Sequence, residues 1–232
     1  QMNQTLEAMA QAIFKEWFVD FNFPGFDGEL VDGLPKGWSK VEISKLITVK
    51  DGTHDSPKQT EIGKYLITSK HLKNHFIDFE SAYRISEDDF EKINKRSKVD
   101  KLDVLITMIG TVGNLYFVHD EVIDFAIKNI GLFKTSENPD LAYFLYFTIS
   151  SKEIADYFVK RLAGSTQQYL TLDTLRQTPI VFPDDKTLKL FSDIAKSIYS
   201  EIEINSQNIK SLTQTRDTLL PKLMSGQLEV KK

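Results

Sequence analysis

Apolar residues recur along this chain in three rhythms. At the start they fall at Met2, Leu6, Met9, Ile13 and Trp17, one face of a helix running from Met2 to Phe18. Ala8, Ala10 and Ala12 keep helix propensity high. Phe23-Pro24-Gly25-Phe26-Asp27-Gly28 and Asp32-Gly33-Leu34-Pro35-Lys36-Gly37 then break any helix. From about Trp38 to Pro183 short strand-like runs alternate with turns. Val41–Val49, Tyr65–Ser69, Asp103–Ile109, Leu115–His119, Gly131–Lys134 and Thr178–Phe182 have strand composition. Ser86–Asn94 and Leu141–Leu162 read as helices, with Asn138-Pro139-Asp140 as a start signal for the second.

The third rhythm is the most regular. After Pro183-Asp184-Asp185, apolar residues recur at Leu188, Phe191, Ala195, Ile198 and Ile202, then at Ile209, Leu212, Leu219 and Leu223. Steps of three and four leave Asn205 and Arg216 as polar occupants of the seam, and a lone Asn there fixes register at some cost in stability. A heptad pattern of this kind predicts a long helix packed on another helix, roughly 54 Å over residues 185–220 at 1.5 Å per residue. Pro221 should kink or end it, with Ser225-Gly226 after it. The fold class expected is α+β: a mixed globule flanked by a shorter N-terminal helix and a long C-terminal heptad helix packed antiparallel. The outer half of the long helix then has no partner within the chain, and an exposed apolar seam of that length has to meet another chain. Gln4-Thr5 before Met9 and Ile13 is echoed by Gln214-Thr215 before Leu219 and Leu223, a faint internal repeat.

Composition narrows the function classes. The 232 residues are 41% hydrophobic and 27% charged, ordinary for one domain with extensions. The absence of cysteine excludes disulfides and thiolate metal sites and is compatible with a reducing cytoplasm. No run approaches the ~20 apolar residues of a membrane span, since Ile130–Ile149 carries Lys134, Glu137, Pro139 and Asp140. Nothing at the start resembles a signal peptide, and a chain that opens on Gln1 inside a helical pattern reads as a piece of something longer. A net charge of −4 counts against a protein that only grips phosphates. Between Lys36 and Lys73, however, eight lysines stand against Glu42, Asp51, Asp55 and Glu61, enough for one basic face.

Several segments together resemble the specificity subunits of type I restriction-modification systems. Residues 3–21, Asn3-Gln4-Thr5-Leu6-Glu7-Ala8-Met9 through Trp17-Phe18-Val19-Asp20-Phe21, resemble the end of that family's central conserved region. Leu34-Pro35-Lys36-Gly37-Trp38 is similar to the entrance of a target-recognition domain. Gly110-Thr111-Val112-Gly113-Asn114 and Gly164-Ser165-Thr166-Gln167-Gln168 resemble loops within such domains. Arg216-Asp217-Thr218-Leu219-Leu220-Pro221 through Leu228 is similar to the family's second conserved region. The resemblance implies a conserved helix over 1–21, a linker and entrance over 22–37, a target-recognition domain over 38–183, a spacer helix over 184–224 and a tail over 225–232.

It further implies a non-catalytic subunit that reads one half of a split double-stranded DNA target and docks partners along its helices. The partners implied are methyltransferase (modification) subunits and a restriction and motor subunit. S-adenosylmethionine, ATP and Mg²⁺ would belong to those partners, with no cofactor or metal held here. Such subunits carry two recognition domains, and this chain matches the second half, so two copies pairing as a homodimer could rebuild the symmetric arrangement. Leu6, Met9, Ile13 and Trp17 on the first helix would form the seam or docking face. On the last helix that role would fall to Ile198, Ile202, Asn205, Ile209, Leu212, Leu219 and Leu223.

Candidate chemistry is confined to loops. A DNA amino-methyltransferase would show an Asp/Asn-Pro-Pro-aromatic loop, and Asn138-Pro139-Asp140-Leu141 lacks the second Pro and the aromatic. Asp184-Asp185-Lys186 has the letters of a metal-dependent nuclease motif, but before a helix such carboxylates cap free N–H groups. Of the four histidines, only His71 and His75 have a metal-like spacing, and without a third ligand they read as surface residues.

Thr111 and Asn114 lie in a Gly-rich run that is either a hairpin turn or a DNA-facing loop. Ser165, Thr166, Gln167 and Gln168 offer hydroxyls and amides suited to phosphate oxygens or adenine, or form an ordinary polar loop. Thr53, His54 and Lys58 sit in turn chemistry that could face a groove, and Lys70 and Lys73 suit phosphates. Arg161 and Arg176 flank the Ser-Thr-Gln loop, as clamps or as solvated helix charges. Trp17 and Phe18 read as packing residues rather than base-stacking ones. A coiled-coil adaptor with a protein-binding globule, and a small methyltransferase or nuclease with degraded motifs, remain open beside the specificity reading.

Overall fold

The computed structural model describes residues 1–73 and 76–225, so His75 and the tail beyond Ser225 lie outside the described residues. Helix α1 (Met2–Phe18) and helix α6 (Asp185–Met224, 40 residues) flank the globule. Asn3 at the start of α1 donates to the Ile202 carbonyl (3.3 Å) and the Ser206 hydroxyl (3.1 Å). Trp17 at its end meets Phe191, ring centroids 6.2 Å apart. The two helices therefore run antiparallel, as expected from their places at the entrance and exit of the globule.

The buried stripe of α1 is Ala10, Phe14 and Phe18. Leu6, Ile13 and Trp17 are half-buried, and Met9 is 50% exposed. The face read from sequence is thus displaced, because α1 packs on two neighbours, α6 and α3 (Pro139–Ile149), and the phenyl rings at 14 and 18 point between them. On α6, Leu188, Phe191, Ala195 and Tyr199 are buried, and Ile198 and Ile202 are half-buried. Asn205 is half-buried with its Nδ2 unpartnered. Ile209, Leu212, Leu219 and Leu223 are exposed. Pro221 does not end the helix, which continues to Met224. Only one turn remains beyond Pro221, and the carbonyl it leaves without a donor belongs to exposed Asp217.

Asp184 caps α6 as its composition suggests, accepting from the Thr187 N–H (3.0 Å) and hydroxyl (2.8 Å) and from Trp38 Nε1–H (3.0 Å). Burial alone would raise its pKa, but these donors hold the carboxyl below the ordinary value.

Two sheets form the rest. One is four-stranded and antiparallel: β10 (Leu115–Phe117), β9 (Val104–Thr107), β12 (Ile130–Phe133) and β4 (Val49–Asp51). The other joins β11 (Phe125–Lys128) parallel to β5 (Lys64–Thr68), with β8 (Tyr83–Ile85) antiparallel on β5's other side. Two-stranded pairs add β1 (Leu30–Val31) with β2 (Leu34–Pro35), β3 (Ser39–Glu42) with β13 (Pro179–Phe182), and β6 (Leu72–Lys73) with β7 (Phe76–Ile77). Helix α2 (Glu87–Ser97), capped by Ser86, lies against β11.

The run Val41–Val49 is not one strand. A 3₁₀ turn at Ile43–Lys45 splits it, because fully buried Ile43 donates its N–H to the Thr178 carbonyl and turns the chain inward. The long helix read over Leu141–Leu162 is also two, α3 and α4 (Lys152–Val159), since Ser151 leaves the helical path to cap α4. A short helix, α5 (Leu172–Arg176), precedes β13.

His71 and His119 are not surface residues. His71 is fully buried, and half-buried His119 stacks on Tyr199 (5.2 Å between centroids) and lies perpendicular to Phe117 (4.7 Å). Burial pushes the His119 imidazole down to about 4, against the pull of Asp120 and Glu203. The unfolded chain therefore takes up this proton near pH 6.5 while the folded one refuses it to about pH 4, so stability falls across that window as pH drops. His119→Gln is expected to flatten the acid limb by on the order of 2–3 kcal/mol between pH 6.5 and 4, read from urea unfolding at stepped pH.

Candidate nucleic-acid interface

Strand register gathers four loops at one end of the sheets. Lys128 stands opposite Thr68, Ile130 opposite Thr107 and Gly131 opposite Asp51. The carboxyl ends of β4, β5, β9 and β11 therefore emerge together. They carry Gly52-Thr53-His54, Ser69-Lys70, Ile109-Gly110-Thr111 and Asn129. Backbone bridges Ile109 to Tyr169 and Ala163 to Tyr169 bring the Ser-Thr-Gln loop to the same place.

The result is an open cleft of about 550 Å³. Of the residues named from sequence as DNA-contact candidates, Lys70, Lys73, Thr111, Asn114 and Gln167 line it, together with Thr68, Ser69 and Asn129, which were not among them. An Asn between two β-rich runs, with a glycine two residues on, was the available signal for Asn129; such a residue tolerates a left-handed backbone. Thr68 and Ser69 were read only as strand.

Local bonding fixes the walls. His71 Nδ1 accepts the Thr68 N–H (3.1 Å), which ties down the segment bearing Lys70 and Lys73. Burial first, then the positive charge of Lys70 with some help from Lys73, holds His71 below its ordinary pKa, with Asp78 opposing. The field at this wall is thus positive although the chain is acidic. Asn114 Nδ2 donates to the Leu72 carbonyl (3.2 Å), joining the two walls. Mutual backbone bonds of Ala163 and Tyr169, both 2.9 Å, close the loop that carries Gln167. Gly164 turns that loop with φ +86°, and a β-carbon there would stand 2.3 Å from the Gln167 carbonyl oxygen.

Other candidates fall elsewhere. Thr53 Oγ1 accepts from the Asp55 N–H (3.1 Å) and shapes its own turn, while His54 reaches the cleft only through Asn129 (2.7 Å). Lys58 is exposed outside the cleft lining. Ser165, Thr166 and Gln168 are exposed on the loop but do not line the cleft. Arg161 is spent on the face of Tyr157 (3.9 Å), and Arg176 reaches Asp173 (3.8 Å) and the Val49 carbonyl (3.4 Å) on a surface shared with Ser44 and Glu137. Neither arginine lines the cleft.

A family model for the type I restriction modification DNA specificity domain matches residues 35–214. The chain belongs to that family. It is 27% identical to the MjaIX specificity subunit of Methanocaldococcus jannaschii, across 99% of this chain and 54% of that relative. It is 22% identical to the HindI specificity subunit of Haemophilus influenzae, across 98% of this chain and 63% of that relative. The chain therefore spans between half and two-thirds of the length of these relatives. The crystal structure of a type I restriction-modification S subunit from M. genitalium shares the fold, with a TM-score of 0.58 at 14% identity over 96% of this chain and 55% of that one. The specificity domain described here is a single recognition globule between two packed helices. Among its described residues no helix is long and apolar enough to cross a membrane.

Gly164 gives this domain a local test. Gly164→Ala combines a disfavoured backbone with a clash on the Gln167 carbonyl, so it is expected to cost about 1–3 kcal/mol in thermal unfolding. A variant melting with the parent would show that the loop is free to reopen.

Proposed function

We propose that this specificity chain reads one half of a split DNA target in the cleft at the strand ends and docks modification subunits along the outer half of α6. The observation that carries the reading is the convergence of two lysines with hydroxyl and amide side chains from separate loops in one open cleft, within a family-matched domain. Lysines position a phosphate backbone, and short polar side chains discriminate base edges. Catalysis, S-adenosylmethionine, ATP and Mg²⁺ are assigned to the partner subunits.

The arm supports the assembly part. Beyond Ser206, where α1 makes its last bond to α6, the helix runs on for 18 residues, about 27 Å at 1.5 Å per residue. Its exposed apolar side chains include Ile209, Leu212, Leu219 and Leu223, too many for a surface left to water. Two half-sites one helical turn apart are ~34 Å from each other, a span that the whole of α6, about 60 Å long, can bridge. Where no second recognition domain is supplied, two copies paired along these seams would read a palindromic split target. Sedimentation at micromolar concentration should then give a dimer, and a monomer would oppose that form of the assembly.

The decisive experiment is co-expression with a cognate modification subunit, followed by genome-wide mapping of methylated adenines. A split motif is expected, and an assembled complex that methylates without sequence preference would overturn the reading. Within that complex, Lys70→Ala and Lys73→Ala should each weaken binding to all sequences and lower the salt slope by about 0.9. Gln167→Ala should relax one position of the motif by ~1–3 kcal/mol, whereas Gln168→Ala, outside the cleft lining, should not. Leu212→Asp with Leu219→Asp should abolish co-purification with the modification subunit while leaving the melting temperature within a degree or so, as both side chains are exposed.

A further inference from the structure

β11 and β12 are one continuous run of chain that changes sheets at Asn129. The residue takes φ +54°, a left-handed conformation that glycine adopts freely and asparagine tolerates. Its backbone does not call for asparagine. The N–H donates to the Thr53 carbonyl (3.2 Å) and the carbonyl accepts from the Ser69 hydroxyl (3.1 Å), and glycine would make both bonds. What asparagine adds is an amide on the cleft wall, beside Thr68, Lys70, Thr111 and Gln167.

That amide is held from behind. Its Oδ1 lies 2.7 Å from His54 Nδ1, and His54 Nε2 lies 3.0 Å from Oδ2 of Asp51. Asp51, only 5% exposed, is in turn gripped by Arg96 from α2. Arg96, Asp51, His54 and Asn129 thus form a relay from the far side of the sheet to the cleft. A carboxylate paired with an imidazole whose side chain is 66% exposed contributes little to stability. It does fix the plane of the imidazole, and through it the plane of the amide. Where Nε2–H donates to Asp51, Nδ1 of a singly protonated ring accepts, so the contact fixes the plane of the amide and leaves one of its two ends, oxygen or NH₂, for the cleft. An amide engaged at one end cannot make the bidentate pairing with adenine. It offers a single polar atom to one base edge in the major groove.

We propose that Asn129 is a specificity-determining residue that reads one base edge from the cleft, and that His54 is a positioning residue acting through it rather than a DNA ligand. The proposal rests on the reading of the cleft given above. The test uses the complex with the modification subunit and maps the methylated motif for three variants. Asn129→Gly suits the left-handed backbone, so it should melt at or above the parent temperature, yet it should lose roughly ten- to a hundredfold discrimination at one motif position. Asn129→Asp leaves only acceptors there and should select cytosine at that same position, whose N4 amino group donates. His54→Ala should blur the same position to a smaller degree. An unchanged motif in Asn129→Gly overturns the proposal while the parent's split motif leaves the reading of the cleft intact. Blurring at a different position in His54→Ala overturns the positioning role. A parent complex with no sequence preference overturns both readings together.

Discussion

The structure depends on a clasp between the globule's entrance and its exit. Phe14 and Phe18 from α1, Phe144 and Phe147 from α3, and Phe191 from α6 pack with ring centroids 5.0–6.1 Å apart. Each ring buried in this way contributes about 2–3 kcal/mol. Trp38, the first aromatic of the globule, leans on Phe18 and donates its indole N–H to Asp184, the same carboxylate that caps α6. One side chain therefore both starts the long helix and pins it to the domain entrance. The antiparallel course of α1 and α6 follows, and so does the direction in which the outer seam projects.

At the other functional pole the constraint is strand register. Antiparallel pairing of β9 with β12 and parallel pairing of β5 with β11 put separate loops at one end of the sheets. The opposite end of β9 and β12 is braced by a buried charge cluster. Lys134 bonds Asp103 (2.6 Å) and Asp100 (2.8 Å), while Asp103 also accepts the N–H groups of Ser136 (3.1 Å) and Asp100 (2.7 Å). Buried Lys134 and Asp103 are tolerated because each is bonded to several partners, Lys134 also donating to the Lys98 carbonyl (3.2 Å). The rigid end thereby holds still the strands whose other ends carry the cleft.

Charge and shape divide along the same line. An acidic chain keeps two lysines, Lys70 and Lys73, on one wall of the cleft and leaves apolar residues along α6. The polar cleft suits a wet, charged ligand, and the seam suits helices. The two surfaces differ in chemistry, one polar and open, the other a row of exposed apolar side chains.

Much of this was legible in the residues. The heptad from Leu188 onward, the cap at Asp184 and the strands at Tyr65, Asp103, Leu115 and Gly131 follow from local periodicity and turn chemistry, which depend on near neighbours alone. The same local logic brought Thr111, Asn114 and Gln167 forward as polar loop residues. It misplaced the buried face of α1, ran α3 and α4 together and carried Val41–Val49 through a corner, because those outcomes are set by what packs from elsewhere: α3 against Phe14, the Ser151 cap, and the Thr178 carbonyl that receives Ile43. It also could not separate Lys70 and Gln167 from Arg161 and Arg176, since side-chain character does not reveal direction. The sequence determined which segments are rod, strand or turn. Only the tertiary structure decided which turns share a cleft, because register between distant strands, such as Lys128 opposite Thr68, is fixed by the whole buried core and by no single stretch of chain.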